Sequence, residues 1–128
     1  MKYFKRIIIF GIILIISCIF VGCGGNNQKS FNNLSSSERD GFLQGMMEET
    51  VKSNLKSPNS AKFETISDSD IKDDGNNEYE ISSYVDADNS FGANIRNNFT
   101  VTIKVNNDYD SSHDGYGYTS ENCNINEN

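Results

Sequence analysis

The chain has 128 residues, 23% of them charged, and a formal net charge of −7. That length allows one domain, and the acidic balance argues against nucleic acid as a partner and against an electrostatic grip on anionic lipid. One histidine and three cysteines leave few ways to build a nucleophile–base pair.

The first residues carry a basic start, Lys2, Lys5 and Arg6, and from Ile7 to Gly22 the chain is apolar apart from Ser17. This is the layout of a secretory signal, and the run is slightly short of the roughly 20 apolar residues of a permanent span. Phe20-Val21-Gly22-Cys23 resembles the lipobox of bacterial lipoproteins, in which a small residue precedes the cysteine that receives diacylglycerol; Phe20 stands where Leu is usual. Ile15-Ile16-Ser17-Cys18 fits a looser lipobox, but cleavage there would leave an apolar terminus. An uncleaved anchor is the third possibility. All three put the body on the outer side, because the basic residues stay cytoplasmic. Cys23 is preferred, since a polar tether, Gly24-Gly25-Asn26-Asn27-Gln28-Lys29, follows it. The mature chain is then three charges more negative than the whole. Lipid on Cys23 supplies its membrane affinity, and two acyl chains hold stably where one holds marginally. Cys18 leaves with the signal, so Cys123 is alone and no intramolecular disulfide forms.

After the linker, Ser35 to Asp40 offers several helix N-caps, with Ser37 and Asp40 at capping-box spacing. Phe42, Leu43, Met46, Met47, Thr50, Val51, Asn54 and Leu55 follow on one helical face, and Gln44, Glu48, Glu49, Lys52 and Ser53 on the other. Ser57-Pro58 stops the helix. The two methionines read as core filling rather than as a binding groove. Ala61 to Ile66 reads as a short strand and Ser67 to Asn77 as a turn.

Glu78 to Ala87 and Ile95 to Val105 each alternate apolar with polar, which predicts two half-buried strands of a hairpin. Placing Asp86 opposite Arg96 also places Glu78 opposite Lys104, Ile81 opposite Val101 and Tyr79 opposite Ile103. A two-residue shift breaks both charge pairs, and a one-residue shift exchanges core for solvent. The long connection leaves room for a bulge near Ser90. The expected fold is α+β: one amphipathic helix packed on a small antiparallel sheet of about three strands. Residues 1–22 are then the signal, 23–34 a lipidated flexible tether, 35–105 the domain, and 106–128 an acidic tail expected to be disordered, although Tyr109, Tyr116 and Tyr118 are able to dock on the body.

Two stretches carry a resemblance. Asn54-Leu55-Lys56-Ser57-Pro58-Asn59-Ser60-Ala61-Lys62-Phe63 is similar to LKSPSTAKF. Ser83-Tyr84-Val85-Asp86-Ala87-Asp88-Asn89-Ser90-Phe91-Gly92-Ala93, continued by Arg96 and Phe99-Thr100, is similar to YVDAQNSFGAKIRSNFT, with Asp88 in place of Gln. Both resemble a family of small extracellular domains of Gram-positive bacteria and their phages, which often follow a lipoprotein signal or a single membrane span. The resemblance runs from about Met46 to Val105; it implies a shared fold and no particular activity.

Candidate chemistry is sparse. His113 lies in the expected tail, and an acid pair such as Glu80 and Asp86 says little on an acidic surface. Asp70 to Gly75 begins like a calcium loop but has Lys72 at the third place and Ile81 at the twelfth. Asp110, Ser112, Asp114, Gly115 and Glu121 occupy positions of an EF-hand loop, without a preceding helix. Asn89 to Ala93 is either a recognition loop anchored by Phe91 or a turn whose Phe91 tucks over the sheet edge, with Gly92 at positive φ; the second is preferred. The reading is a membrane-anchored lipoprotein, non-enzymatic and without cofactor or metal, that binds a protein or an envelope component. The alternatives are a phage-type lipoprotein that interferes with penetration of the envelope, and a calcium-responsive envelope protein.

Overall fold

The computed structural model describes residues 29 to 127; the signal segment, Cys23 and the first half of the expected tether lie outside them. The domain begins earlier than position 35. Phe31 opens a short 3-10 turn, Phe31–Asn33, and is only 1% exposed, so the second half of the expected tether is anchored to the core by this ring. Its ring meets Tyr79 and Tyr116 edge-on, with centroids 5.8 and 5.1 Å away. An apolar ring with such partners nearby gains about 1.5–3 kcal/mol by leaving water, which offsets part of the entropy lost in ordering its neighbours, about 1–2 kcal/mol per residue.

Helix α1, Ser36–Ser53, starts at a capping box two residues before the expected one. The Glu38 amide donates to Ser35 Oγ at 3.3 Å, and the Ser35 amide donates to Glu38 Oε2 at 2.9 Å. Glu, with one more methylene than Asp40, reaches back to the cap amide, which decides between the two candidate boxes. Leu43, Met46, Met47, Thr50 and Val51 form the buried stripe, as their spacing predicts. The helix ends at Ser53, ahead of Pro58, which opens a second 3-10 turn, Pro58–Ser60.

The sheet is antiparallel with five strands, where the sequence suggested about three: β1 Lys62–Phe63, β2 Ile71–Gly75, β3 Glu78–Asp88, β4 Asn94–Asp110 and β5 Gly115–Glu127. Its order is β1-β3-β4-β5, with β2 also on β3. The expected turn at 67–77 holds β2, because Asn76 and Asn77, at φ 52° and 60°, make the two-residue left-handed turn that closes β2 onto β3. The β3–β4 register is the expected one: Glu78 opposite Lys104, Tyr79 opposite Ile103, Ile81 opposite Val101 and Asp86 opposite Arg96. Pairing continues to Asp88 opposite Asn94 with no bulge near Ser90, so the connection is only residues 89–93.

The expected disordered tail is the largest correction. Strand β4 runs on to Asp110, and β5 returns along it to Glu127. Tyr118, Cys123 and Ile125 pack against the core, Tyr116 is buried, and Tyr116 Oη donates to the Lys29 carbonyl at 2.5 Å. Tyr118 Oη donates to Glu49 Oε2 at 2.7 Å, tying β5 to the helix. The core thus lies between α1 and one face of the sheet, and the other face is open. Gln44 fastens the segment between β1 and β2 to the helix: its Nε2 donates to the Glu64 carbonyl at 3.1 Å and its Oε1 accepts from the Ile66 amide at 2.8 Å. Asn97 is the polar exception on the buried face, 4% exposed, and its Oδ1 finds no partner among the described residues.

Candidate functional site

The turn between β3 and β4 is closed by one side chain. Asn89 Oδ1 accepts from the Phe91 amide at 2.9 Å and the Ala93 amide at 3.0 Å. The backbone adds Asn89 N to Ala93 O at 2.8 Å and Gly92 N to Asn89 O at 3.0 Å, with Gly92 at φ 79°. Only glycine takes that conformation freely. The turn is therefore built, and it holds Phe91 outward: the ring is 95% exposed. The preferred expectation, that Phe91 tucks over the sheet edge, is wrong. A side chain whose neighbours are already bonded to Asn89 has no slack with which to fold back.

Behind this turn, on the open face, Arg96 is fixed in three ways. Its Nε and Nη2 donate to the two carboxylate oxygens of Asp86 at 2.8 and 2.7 Å, and its guanidinium lies 3.8 Å from the centre of the Tyr84 ring. The bidentate bond from Arg96 holds the Asp86 carboxyl below its usual range, while the Tyr84 phenol is raised, chiefly by its hydrogen bond with Glu64. A planar fork stacked on an aromatic and locked to a carboxylate is a rigid feature.

The other sequence candidates do not assemble. Glu80 and Asp86 are six residues apart along one strand, about 20 Å, so they form no acid pair. His113 sits in the exposed β4–β5 turn, where Ser112 Oγ at 2.8 Å and Asp110 Oδ2 at 2.7 Å both meet the same ring nitrogen, Nδ1. A serine–histidine–aspartate relay needs its partners on opposite nitrogens, so this trio passes no proton between them. The EF-hand positions also separate: Asp110, Ser112 and Asp114 belong to a tight turn, and Glu121 lies six residues along β5 from Gly115, about 20 Å away. Asp114 is instead bonded by Tyr109 Oη. Among the described residues no group of three or more acidic, histidine or cysteine side chains is placed to hold a metal ion. Cys123 is on β5 rather than in a loose tail, and partial burial pushes its thiol up.

Asn122, Asn124 and Asn126 of β5, which the sequence reading does not single out, pair on the open face with Thr102, Thr100 and Asn98 of β4. The signal was present as an asparagine at every second position, with Cys123 and Ile125 between. Comparison with family models, with curated proteins and with solved structures finds no match.

Proposed function

We propose that the chain is an exported lipoprotein, held at the outer face of the cytoplasmic membrane through lipid on Cys23, whose α+β domain is a non-enzymatic binding module for a protein or envelope component. The observation that carries the binding reading is Phe91, 95% exposed on a prebuilt turn. Binding residues gather on loops that a rigid scaffold holds, and the Phe91 turn is such a loop. Its position supports the same reading. The chain enters the domain at Lys29, which Tyr116 bonds near the β4–β5 turn, whereas Phe91 lies past the other end of β4. About 50 Å of extended strand separates the two ends, so a domain tethered through Lys29 presents Phe91 away from its anchor. The resemblance to small extracellular domains that follow a lipoprotein signal points the same way.

Two measurements test this. Acyl labelling of the full chain in cells should be lost in Cys23→Ala and kept in Cys18→Ala; the reverse pattern moves the anchor. A photoactivatable phenylalanine at position 91 should cross-link to a discrete envelope component, while the same group at Ser111, on the opposite turn, should not. Equal cross-linking at both positions would remove Phe91 from the recognition surface.

A further inference from the structure

The edge of the sheet at β5 is a second surface, and its chemistry belongs to the backbone. Among the described residues β5 pairs only with β4, so one side of it is open. The hairpin fixes which groups face that side. The Asn89 amide donates to the Ala93 carbonyl, and hydrogen-bonded pairs recur at every second position of an antiparallel ladder. Odd-numbered residues of β4 from 95 to 105 therefore bond toward β3, and even-numbered ones toward β5. Two further bonds agree: the Val105 amide donates to the Asn77 carbonyl, and the Ser82 amide donates away from β4, to the Asp70 carbonyl. Asn98, Thr100 and Thr102 thus exchange bonds with Asn126, Asn124 and Asn122. The backbone N–H and C=O groups of Cys123 and Ile125 point outward, where no described residue bonds them.

We propose that this edge receives, by antiparallel strand addition, an extended segment of a partner protein whose residues alternate apolar and basic.

The edge is long and left unguarded. Residues 122–127 pair with β4 in one unbroken register, a run of ordinary strand length, and β5 contains no lysine, arginine or proline. The opposite edge is guarded in the usual ways. It consists of two short strands, β1 with 2 residues and β2 with 5, a register shift between Asp73 and Gly75, and an exposed Lys72 paired to Asp74 at 2.9 Å. Outward N–H and C=O groups in a row are met in full only by another polypeptide backbone, which names the class of occupant.

The flanking side chains say what that polypeptide carries. On the core side, Val101 and Phe99 of β4 are 0% and 2% exposed, whereas their β5 neighbours Cys123 and Ile125 are only partly buried. The apolar layer therefore runs out to the edge unfinished, and apolar residues opposite Cys123 and Ile125 would complete it. Charge sets the other face. Beyond Lys104 the chain has five acidic residues, Glu121 and Glu127 among them, and no lysine or arginine. A basic strand is attracted there, while β5 of a second copy brings its own glutamates and is repelled. The surface is backbone and β5 side chains alone, so it depends neither on Phe91 nor on lipid at Cys23.

The test uses the full chain, isotope-labelled, in non-ionic detergent micelles, titrated with the blocked heptapeptide Lys-Val-Lys-Val-Lys-Val-Lys. The amides of Cys123 and Ile125 should shift and gain hydrogen-exchange protection, and those of Asn122 and Asn124, already bonded to β4, should gain little. Valines seated opposite Cys123 and Ile125 also supply the N–H groups that bond them. The same peptide N-methylated at its valines keeps every side chain and charge, and should not protect the edge. The peptide with glutamate for lysine should not bind. Glu121→Lys/Glu127→Lys should weaken the basic peptide by about tenfold at low salt, and melt as the parent does, since Glu121 is exposed. Phe91→Ala should leave the titration unchanged, which separates this edge from the hairpin turn. Equal binding of the N-methylated peptide would reduce the contact to charge alone and overturn the proposal. So would shifts confined to the Phe91 turn or to α1, no shift at all, or protection of Cys123 and Ile125 in the free chain that rises with its concentration, which would give the edge to a second copy.

Discussion

The two turns at the ends of β4 use the same local device for opposite ends. In one, Asn89 accepts from the amide two residues on; in the other, Asp110 does the same, from Ser112 at 2.9 Å. Around Asp110 the aromatics turn inward: Tyr109 meets Tyr116 at 5.4 Å, and Tyr116 meets Phe42 at 5.0 Å and Phe31 at 5.1 Å, all edge-on. Around Asn89 the single aromatic, Phe91, turns outward. One turn closes the domain where the chain enters it, and the other displays a side chain. Local hydrogen bonding shapes both turns; what lies beneath them decides whether the aromatic is buried.

The sharpest way to break this comparison is to remove one ring from each end. Phe31→Ala should cost about 3–5 kcal/mol, because a fully enclosed ring leaves a cavity and strips Tyr79 and Tyr116 of a partner. Phe91→Ala should change stability by less than about 0.5 kcal/mol, since water already surrounds the ring. Thermal melts of both variants suffice. A comparable loss in Phe91→Ala would mean that the ring packs on the domain after all.

Legibility followed the same division. The helix stripe and the β3–β4 register were readable because their periods are unbroken: Asp86 and Arg96, Glu78 and Lys104 and the apolar pairs all agree on one alignment. Strand β5 was not, because its core-facing residues change phase. Tyr116 and Tyr118 fall on even numbers and Cys123 and Ile125 on odd ones, with Glu121 as the extra residue where pairing slips between Thr102 and Ile103. A bulge of one residue erases the alternation that a sequence reading relies on. Phe31 was hidden differently, as one aromatic in a polar stretch whose partners lie far along the chain. Of the candidate site, the Asn89–Ala93 loop was visible as a possibility, but its outward ring depends on bonds to Asn89 that spacing alone does not reveal.

A smaller effect tests whether the Phe91 turn is rigid in its own right. A side chain at Gly92 meets no heavy atom within 4 Å, yet φ is +79° there, so Gly92→Ala is unfavourable through backbone strain alone. It should cost about 1–2 kcal/mol and loosen the Phe91 amide in hydrogen exchange. Gly45→Ala, in the middle of α1 with the same free space, should act with the opposite sign and add about 0.5–1 kcal/mol. If Gly92→Ala were also neutral or stabilising, the turn would be relaxing into another form, and its display of Phe91 would not be prebuilt.

The smallest effect distinguishes the two turns by acid. Asp110 is held down to about 2 by the hydroxyl of Ser112, by His113 and by the Ser112 amide. A carboxyl lowered on folding stabilises the turn above its ordinary range, near 3.9, and that contribution fades as pH falls toward the folded value. Asn89 makes the corresponding bonds with a carboxamide, which does not titrate in this range. Between about pH 4 and pH 2 the Ser112 amide should therefore lose hydrogen-exchange protection while the Phe91 and Ala93 amides keep theirs, after correction for the intrinsic rate at each pH. Asp110→Asn should flatten the response of Ser112, because the amide acceptor survives and the proton has nowhere to bind. Loss of protection in step at both turns, or an unchanged acid response in Asp110→Asn, would mean that the domain opens as a whole and that Asp110 is not what closes the β4–β5 turn.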